Sequence, residues 1–198
     1  MEYLGEMSLF QSLYHSKNKL NRLMQLLDQQ MVEILHSLAD MDLPYVEYGD
    51  NLDGMMTNPN LFKEYSIPQY QKYADILHSQ GKKTGSHTDG NLKFLVDLLP
   101  ESGIDVCESF TPQPLTDLPF EEAWNKWRNG PLIWGGIPSG LLEKRTPQDV
   151  FEAFIDNLLA TVGKSPIIIG VGDMVMDNNL IERVKYIAER VENHVLSS

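Results

Sequence analysis

Acidic side chains and one histidine lie at the ends of predicted strands, and these residue types can bind a metal ion or move protons. His87 and Asp89 follow one predicted strand and are two residues apart, so in extended backbone both side chains point to the same side. One imidazole with two or three carboxylates suits Zn²⁺ or a harder divalent cation. The pair therefore marks a candidate metal site whose other ligands must come from other strands.

Five short stretches predict those strands, because each stops at Gly or an acid and four of them are rich in β-branched, aromatic or apolar residues; the exception, 82–90, ends in His-x-Asp-Gly. They are residues 43–50, 82–90, 103–108, 131–136 and 165–173. Amphipathic or capped stretches predict helices at 17–41, 58–79, 91–99, 121–128, from Thr146 onward, and at 179–194. Asn58 and Thr146, each followed by Pro, are the predicted caps of two of these helices. Strands that alternate with helices in this way predict an α/β fold with a parallel sheet and right-handed crossovers.

In such a sheet the carboxyl ends of all strands meet at one rim, which is where α/β proteins keep their sites. The residues placed at this rim are Glu47, Asp50, Asn51, His87, Asp89, Cys107, Glu108, Trp134 and Asp173. Asp173 and Glu47 extend the metal-ligand set of His87 and Asp89. Glu47 stands inside a strand, where a carboxylate is costly to bury unless it is paired or bound to a metal.

A structural alternative exists for the aspartates at this rim. Asp is a common helix cap in the loops that follow strands, so Asp50, Asp89 and Asp173 each have a possible role without any ligand. Capping does not explain the histidine, nor the glutamates within strands. Both interpretations stay open on the sequence.

The composition and charge of the chain disfavour several classes of function. The chain has 198 residues and a net charge of −12, and its 16 Lys and Arg are scattered, which disfavours nucleic-acid binding. No apolar run approaches the roughly 20 residues of a membrane span. The single cysteine fits a reducing compartment, so we expect a cytoplasmic protein. Gly170-Val171-Gly172 lacks the rest of a dinucleotide fingerprint, so we expect no nucleotide cofactor.

Several motifs in order resemble the C-terminal part of the uroporphyrinogen decarboxylase superfamily, which includes zinc-dependent methyltransferases that act on cobalamin-binding corrinoid proteins. The matching segments are Tyr3–Glu6, Tyr48–Asp53, Asn58-Pro59, His87-x-Asp89-Gly90, Glu108–Pro114, Trp134–Pro138, Gly170–Asp173 and Glu182–Val184. The resemblance covers most of the chain and implies a (β/α)₈ barrel of TIM type, of which about five βα units are present here.

The resemblance also implies how the chain is organised. We expect residues 1–198 to form a single domain that corresponds to the C-terminal portion of the barrel. The family's first three strands have no counterpart, so the chain is either a fragment of a longer protein or a short form. A short form would cover its open sheet edges by pairing with another copy, which predicts a homo-oligomer.

The methyltransferases of this superfamily bind zinc through a His-x-Cys pair and a second Cys after the last strand. His87 matches that histidine, while Asp89 and Asp173 stand at the two cysteine positions. The resemblance therefore implies a divalent metal, with zinc as a candidate, and a corrinoid protein as partner. It assigns catalytic roles to Asp50 and Glu108, with a small-molecule substrate contacted by the residues Asn51, Trp134 and Met174.

Two other functions stay open. The first is decarboxylation of a porphyrin precursor. It is disfavoured because the arginines that would hold the precursor's carboxylates are not at predicted strand ends; they are Arg22, Arg128, Arg145, Arg183 and Arg190. The second is a non-catalytic truncated barrel or interaction subunit, for which the short length is the main argument.

Overall fold

Five parallel strands form one sheet in the computed structural model, which describes residues 3–196. The strands are β1 Tyr45–Asn51, β2 Lys83–His87, β3 Val106–Phe110, β4 Leu132–Ile137 and β5 Ile168–Val171. Their order in the sheet is their order in the chain, and every neighbouring pair is parallel. Each connection thus leads to the next strand on the same side, as in the wall of a TIM-type barrel. The predicted α/β class is confirmed.

The contacts within the chain divide it into two compact units, Met1–Leu43 and Pro44–Ser198. The first unit holds α1 Glu6–His15 and α2 Lys17–Ser37. The sequence predicted α2 but not α1. Predicted helix 17–41 ends four residues earlier than expected, and residues 38–40 form a turn.

The second unit holds the sheet and the remaining helices, which are α3 Pro59–Leu61, α4 Ile67–Ser79, α5 Phe120–Lys126, α6 Gln148–Val162 and α7 Ile181–Leu196. A π-helical turn, Phe62–Ser66, joins α3 to α4. The side chain of Asn58 accepts hydrogen bonds from the backbone N–H groups of Asn60 and Leu61, so the predicted cap before Pro59 is present. Among residues 3–196, no helix combines the length and the apolar content that crossing a membrane needs.

The predicted helix at 91–99 is wrong. Residues 93–98 form turns, and only a short 3₁₀ helix follows, Leu99–Glu101. The backbone bonds join residues three apart, from Leu95 N–H to Leu92 and from Leu98 N–H to Leu95. Pro100 has no N–H to extend a regular α-helix, and its ring disfavours helical backbone at the residue before it.

The predicted cap of the helix that follows Thr146 is also wrong. The Thr146 hydroxyl donates to the carbonyl oxygen of Gly140 at 2.9 Å, and α6 begins at Gln148 without a side-chain cap. A contact with a loop six residues earlier therefore replaces the expected local one. The apolar stripe of α6 is present, with Phe151, Ile155 and Leu158 buried.

Alternate residues of the strands face opposite sides of the sheet. On the helix side the register aligns Tyr48, Ser86, Cys107 and Ile133, and all four are buried. The ring of Tyr48 stacks on Tyr70 of α4 at 5.4 Å, which attaches that helix to the sheet. This side of the sheet is the core of the second unit.

The other side of the sheet carries Tyr45, Glu47, His87, Glu108 and Trp134. The ring centroids of Tyr45 and Trp134 are 6.0 Å apart although two strands lie between β1 and β4. Flat neighbouring strands would place those two strands roughly 14 Å apart. The two rings thus span the intervening strands, as side chains do across the inner wall of a barrel.

One buried cation holds the last helix in place. The guanidinium of Arg183 in α7 donates to the carbonyl oxygens of Leu141, Glu143 and Thr146 at 2.6, 2.8 and 2.7 Å, and it lies 4.9 Å from the ring centroid of Phe151. Carbonyl partners offset the cost of burying its charge. Arg183 is therefore committed to the structure of the second unit.

We expect Gly85→Ala to lower the free energy of unfolding by about 1–3 kcal/mol, because the added methyl group overpacks the inner face. A Cβ on Gly85 would lie 2.2 Å from the Tyr45 hydroxyl oxygen and 2.8 Å from the Val106 carbonyl oxygen. Gly49→Ala is the matched control in β1, since a Cβ there meets nothing within 4 Å. Urea unfolding measures both, and equal stability of the two variants would contradict the expectation.

Candidate functional site

His87 stands at the end of β2 with each ring nitrogen facing a carboxylate. Its Nδ1 is 2.7 Å from Glu108 Oε2, and its Nε2 is 3.6 Å from Asp89 Oδ2. Glu108 is the residue of β3 that pairs with His87 in the parallel ladder, so the sheet register itself creates the first contact. Because a carboxylate only accepts, the neutral imidazole carries its proton on Nδ1 and leaves Nε2 as a free ligand atom.

Asp173 completes a group of three with His87 and Asp89. His87, Asp89 and Asp173 each offer one ligand atom, and these atoms lie within 4.8 Å of one another. Asp173 follows β5 and Gly172 with a backbone φ of 61°, and its N–H donates to the Ser109 hydroxyl oxygen at 2.5 Å. The structure therefore brings together three residues that the sequence placed at the ends of two different strands.

A second group of three shares the histidine. Ligand atoms of Glu47, His87 and Glu108 also lie within 4.8 Å of one another. The Tyr45 hydroxyl donates to Glu47 Oε2 at 3.3 Å. Burial and the charge of Glu108 raise the pKa of Glu47 above its ordinary value. Glu47 thus belongs to a second group of ligand atoms that includes His87 and Glu108.

The pKa of His87 reflects its neighbours. Burial lowers this pKa, but the hydrogen bond to Glu108 and the negative charge of Asp89 outweigh burial, and Glu47 adds to their effect. The net shift is upward from the ordinary value of a histidine. The imidazole is thus surrounded by negative charge, which is the environment that attracts a cation.

The donor set fits a divalent metal. One imidazole nitrogen and two carboxylates leave a coordination position open, which is the composition of catalytic rather than structural sites. Histidines that bind metals characteristically give their other N–H to a carboxylate, as His87 does with Glu108. His87, Asp89 and Asp173 would hold the ion, and Glu108 would orient the histidine.

Asp50 lies on the helix side of the sheet. The Tyr70 hydroxyl donates to its Oδ2, and the Ser86 hydroxyl donates to its Oδ1 at 3.0 Å. Burial raises the pKa of Asp50, and these two hydrogen bonds oppose that rise. Both carboxylate oxygens of Asp50 thus have partners that tie β1 to β2 and α4. Its catalytic role stays a prediction, as does that of Glu108.

The three residues predicted to bind substrate are accessible to solvent. Asn51 is exposed at the end of β1, Trp134 is 37% exposed on the inner face, and Met174 is 53% exposed after Asp173. Trp134 contacts Tyr45, whose hydroxyl reaches Glu47. Of the three, Trp134 is linked to the His87 groups through described contacts, and the binding role of each stays a prediction.

Asp53, rather than one of the rim aspartates, accepts hydrogen bonds from backbone N–H groups of two loops. Asp53 accepts from the N–H groups of Met55 and Met56 through Oδ1, and from the N–H and side-chain amide of Asn91 through Oδ2. Burial raises its pKa, but these hydrogen bonds outweigh burial and lower it. Asp53 therefore joins the loop after β1 to the loop after β2, beside Asp89.

Sequence reasoning missed Tyr45, Tyr70 and Ser109. Each acts through a partner that is close in space, and two of the partners are far along the chain: Tyr70 reaches Asp50, and Ser109 reaches Asp173. No local pattern marks them. The positive φ of Ser109, 57°, has no sequence signature in a serine.

Comparison with known protein families shows which family this chain is related to. The family model of uroporphyrinogen decarboxylase (URO-D) matches residues 5–194. The chain belongs to the URO-D family. No curated protein matches it. The resemblance inferred from the URO-D-like motifs is thereby confirmed.

A solved methyltransferase from Methanosarcina mazei has a similar fold to this URO-D family chain. The TM-score is 0.69 at 13% sequence identity, and the match covers 94% of this chain. It covers 53% of the methyltransferase, so the chain spans about half the length of the structure it matches. At this identity the likeness shows the fold.

We expect Tyr70→Phe to destabilise the protein more at pH 7 than near pH 4.5. The variant removes a donor to the Asp50 carboxylate, and hydrogen bonds to charged groups contribute about 1.5–3 kcal/mol. The pKa of Asp50 is raised. As pH rises through that pKa, the carboxylate becomes ionised and the hydrogen bond from Tyr70 stabilises the fold more. Urea unfolding of both proteins at the two pH values measures the difference.

Tyr73→Phe is the control for this experiment. Tyr73 lies on the same helix, is similarly buried, and its hydroxyl accepts from the neutral amide of Gln69 at 2.8 Å. Its stability loss is expected to change little with pH. A Tyr70→Phe loss that is equal at both pH values would show that the ionisation of Asp50 does not change between them and would contradict the expectation.

Proposed function

We propose that this URO-D family chain carries the metal site of a methyltransferase-type enzyme that acts with a corrinoid partner. The observation that carries the proposal is the arrangement of His87, with Nδ1 bonded to Glu108, Nε2 3.6 Å from Asp89, and Asp173 in the same group of ligand atoms. A purely structural histidine has no need of three acids around it. A histidine that binds a cation benefits from all of them.

A divalent metal at this site would act as a Lewis acid that lowers the pKa of a bound thiol or alcohol and so makes it a nucleophile. The residues of the chain have separate tasks. His87 binds through Nε2, and Glu108 keeps the proton on Nδ1 and fixes the plane of the ring. Asp89 and Asp173 supply oxygen ligands and balance positive charge.

The oxygen ligands bear on the substrate class. Thiolate ligands suit soft metal chemistry, whereas carboxylates hold a harder, more electrophilic ion. Such a site favours an oxygen nucleophile or leaving group, such as an alkoxide or a methyl ether. Glu47, whose pKa is raised, belongs to the second group around His87 and would be able to exchange a proton with a bound molecule.

Exposed apolar side chains beside the site support the proposal of a protein partner. Met174, Val175 and Met176 follow Asp173, and all three are about half exposed. Apolar side chains in a row beside a polar site are typical of surfaces that dock another protein. A corrinoid protein that delivers or accepts a methyl group would have to approach this rim.

We also propose that the protein forms a homo-oligomer. The outer strands of the sheet are β1 and β5, and unpaired edges of parallel strands invite association. A second copy that covers these edges would protect them.

A decarboxylase that acts on a porphyrin precursor is the second candidate, and the description of the matching family favours it. The electrostatics of the rim oppose it. Glu47, Asp89, Glu108 and Asp173 cluster around one histidine and would repel a polycarboxylate. Titration with an anionic tetrapyrrole separates the candidates, since tight binding would favour decarboxylation.

We expect one zinc ion to bind per chain, and His87→Ala to abolish that binding, because the variant removes the nitrogen ligand. Isothermal titration with Zn²⁺ measures the stoichiometry and affinity. His78→Ala is the matched control: its Nε2 also meets a carboxylate, Asp105 at 2.7 Å, but the pair lies at the start of β2. Equal zinc affinity of the unmodified protein and His87→Ala would remove the basis of the proposed function and favour a non-catalytic role.

We expect the double variant Asp89→Cys with Asp173→Cys to bind zinc more tightly than the unmodified protein. Thiolates are better ligands than carboxylates for Zn²⁺, and both positions already lie within 4.8 Å of His87. Competition with a chromogenic chelator under reducing conditions measures the affinity. Unchanged or weaker binding would mean that the two side chains do not converge on one ion.

A further inference from the structure

Ser109 lies between the two halves of the proposed site. It follows Glu108, whose carboxylate holds His87, and its hydroxyl oxygen accepts the backbone N–H of Asp173 at 2.5 Å. We infer that Ser109 is a positioning residue that fixes the Asp173 carboxylate against His87 for metal binding. This inference rests on the function proposed above, because it concerns the same site.

The hydrogen bond joins strands that are not neighbours. Asp173 follows β5 and Ser109 belongs to β3, and β4 lies between them in the sheet. Close approach is possible because Gly135 of β4 has no side chain: a Cβ there would lie 2.5 Å from the Phe110 carbonyl oxygen. On the other flank, the N–H of Gly172 donates to the Ile137 carbonyl oxygen at 2.8 Å. The end of β5 is thus anchored to β4 by its backbone and to β3 by Ser109.

Both partners adopt unusual backbone. Ser109 has a φ of 57° and Asp173 a φ of 61°, a region that residues other than glycine seldom occupy. Ser109 is buried, and the Thr111 hydroxyl donates to its carbonyl oxygen at 3.0 Å. Gly172 permits this packing, since a Cβ there would lie 2.1 Å from Thr111 Oγ1. Two strained residues bonded to each other point to a geometry that the surrounding structure maintains.

The bond matters because Asp173 is otherwise exposed. Asp173 is exposed to solvent, whereas His87 and Asp89 are half-buried. Without Ser109 Oγ, the N–H of Asp173 loses its partner and the left-handed backbone loses a restraint. The carboxylate would then be free to move away from His87, and the metal would lose a ligand for part of the time.

The test is a double-mutant cycle on zinc affinity, measured by isothermal titration. We expect Ser109→Ala to weaken zinc binding about tenfold, the lower end of what loss of a supporting partner costs a metal site. Asp173→Ala should weaken it by at least as much. Adding Ser109→Ala to Asp173→Ala should change nothing further, because Ser109 acts through Asp173.

A spectrum gives a second readout that general destabilisation does not alter. With Co²⁺ in place of Zn²⁺, the visible absorption depends on the number and geometry of the ligands. We expect Ser109→Ala to shift the Co²⁺ spectrum toward that of Asp173→Ala. A spectrum identical to that of the unmodified protein would mean that the coordination does not depend on Ser109.

Two further variants guard against a folding artefact. Ser102→Ala removes another buried hydroxyl, one that donates to the Leu99 carbonyl oxygen at 2.7 Å before β3 begins, and it should leave zinc affinity unchanged. Ser109→Gly also lacks the hydroxyl but accepts a positive φ without strain. If Ser109→Ala does not fold, Ser109→Gly is expected to fold and to bind zinc about tenfold more weakly.

The outcomes separate this inference from the proposed function. If the unmodified protein binds no zinc, both are overturned. If it binds zinc and His87→Ala does not, but both Ser109 variants bind normally, only the role of Ser109 is overturned. The same holds if the losses from Ser109→Ala and Asp173→Ala add in the double variant.

Discussion

Parallel pairing of strands in chain order is the constraint on which the site depends. Each strand from β1 to β5 lies beside the one before it, so all five carboxyl ends meet at one rim. The same ladder aligns His87 with Glu108, which sets the proton of the imidazole and frees Nε2. A slip of one residue would turn Glu108 to the helix side and leave His87 without its partner.

The charged side chains on the two faces of the sheet have different kinds of partners. On the helix side, the buried charged groups have partners: Asp50 accepts from the hydroxyls of Tyr70 and Ser86, and the two terminal nitrogens of Arg183 in α7 donate to carbonyl oxygens. On the inner face, four acids gather around one histidine in two overlapping groups. The first arrangement stabilises the fold, whereas the second is suited to bind something that carries positive charge.

Membership of the URO-D family does not by itself decide the chemistry, because the site decides it. In this chain, the metal preference of the proposed site depends on which atoms bind the ion. In the site that we propose, aspartates take the two positions for which the resemblance to the methyltransferases implies cysteines, and carboxylate ligands favour a harder metal ion than thiolates do. Ser109 and the glycines beside it would hold one of these aspartates in place, so a small network of uncharged residues would govern the affinity of a charged site.

The sequence by itself determined the α/β class, the positions of the strands and helix α2, the family, and the candidate ligands His87, Asp89 and Asp173. These rest on local patterns: apolar periodicity, strand ends and motif order are all carried by residues close along the chain. The tertiary structure decided the rest. In the structure, turns stand where a helix was expected at 91–99. Asp50 lies on the helix side of the sheet and accepts from Tyr70, and Ser109 is bonded to Asp173 across β4. Such contacts depend on strand register and on backbone with positive φ, which arise only when distant segments pack together.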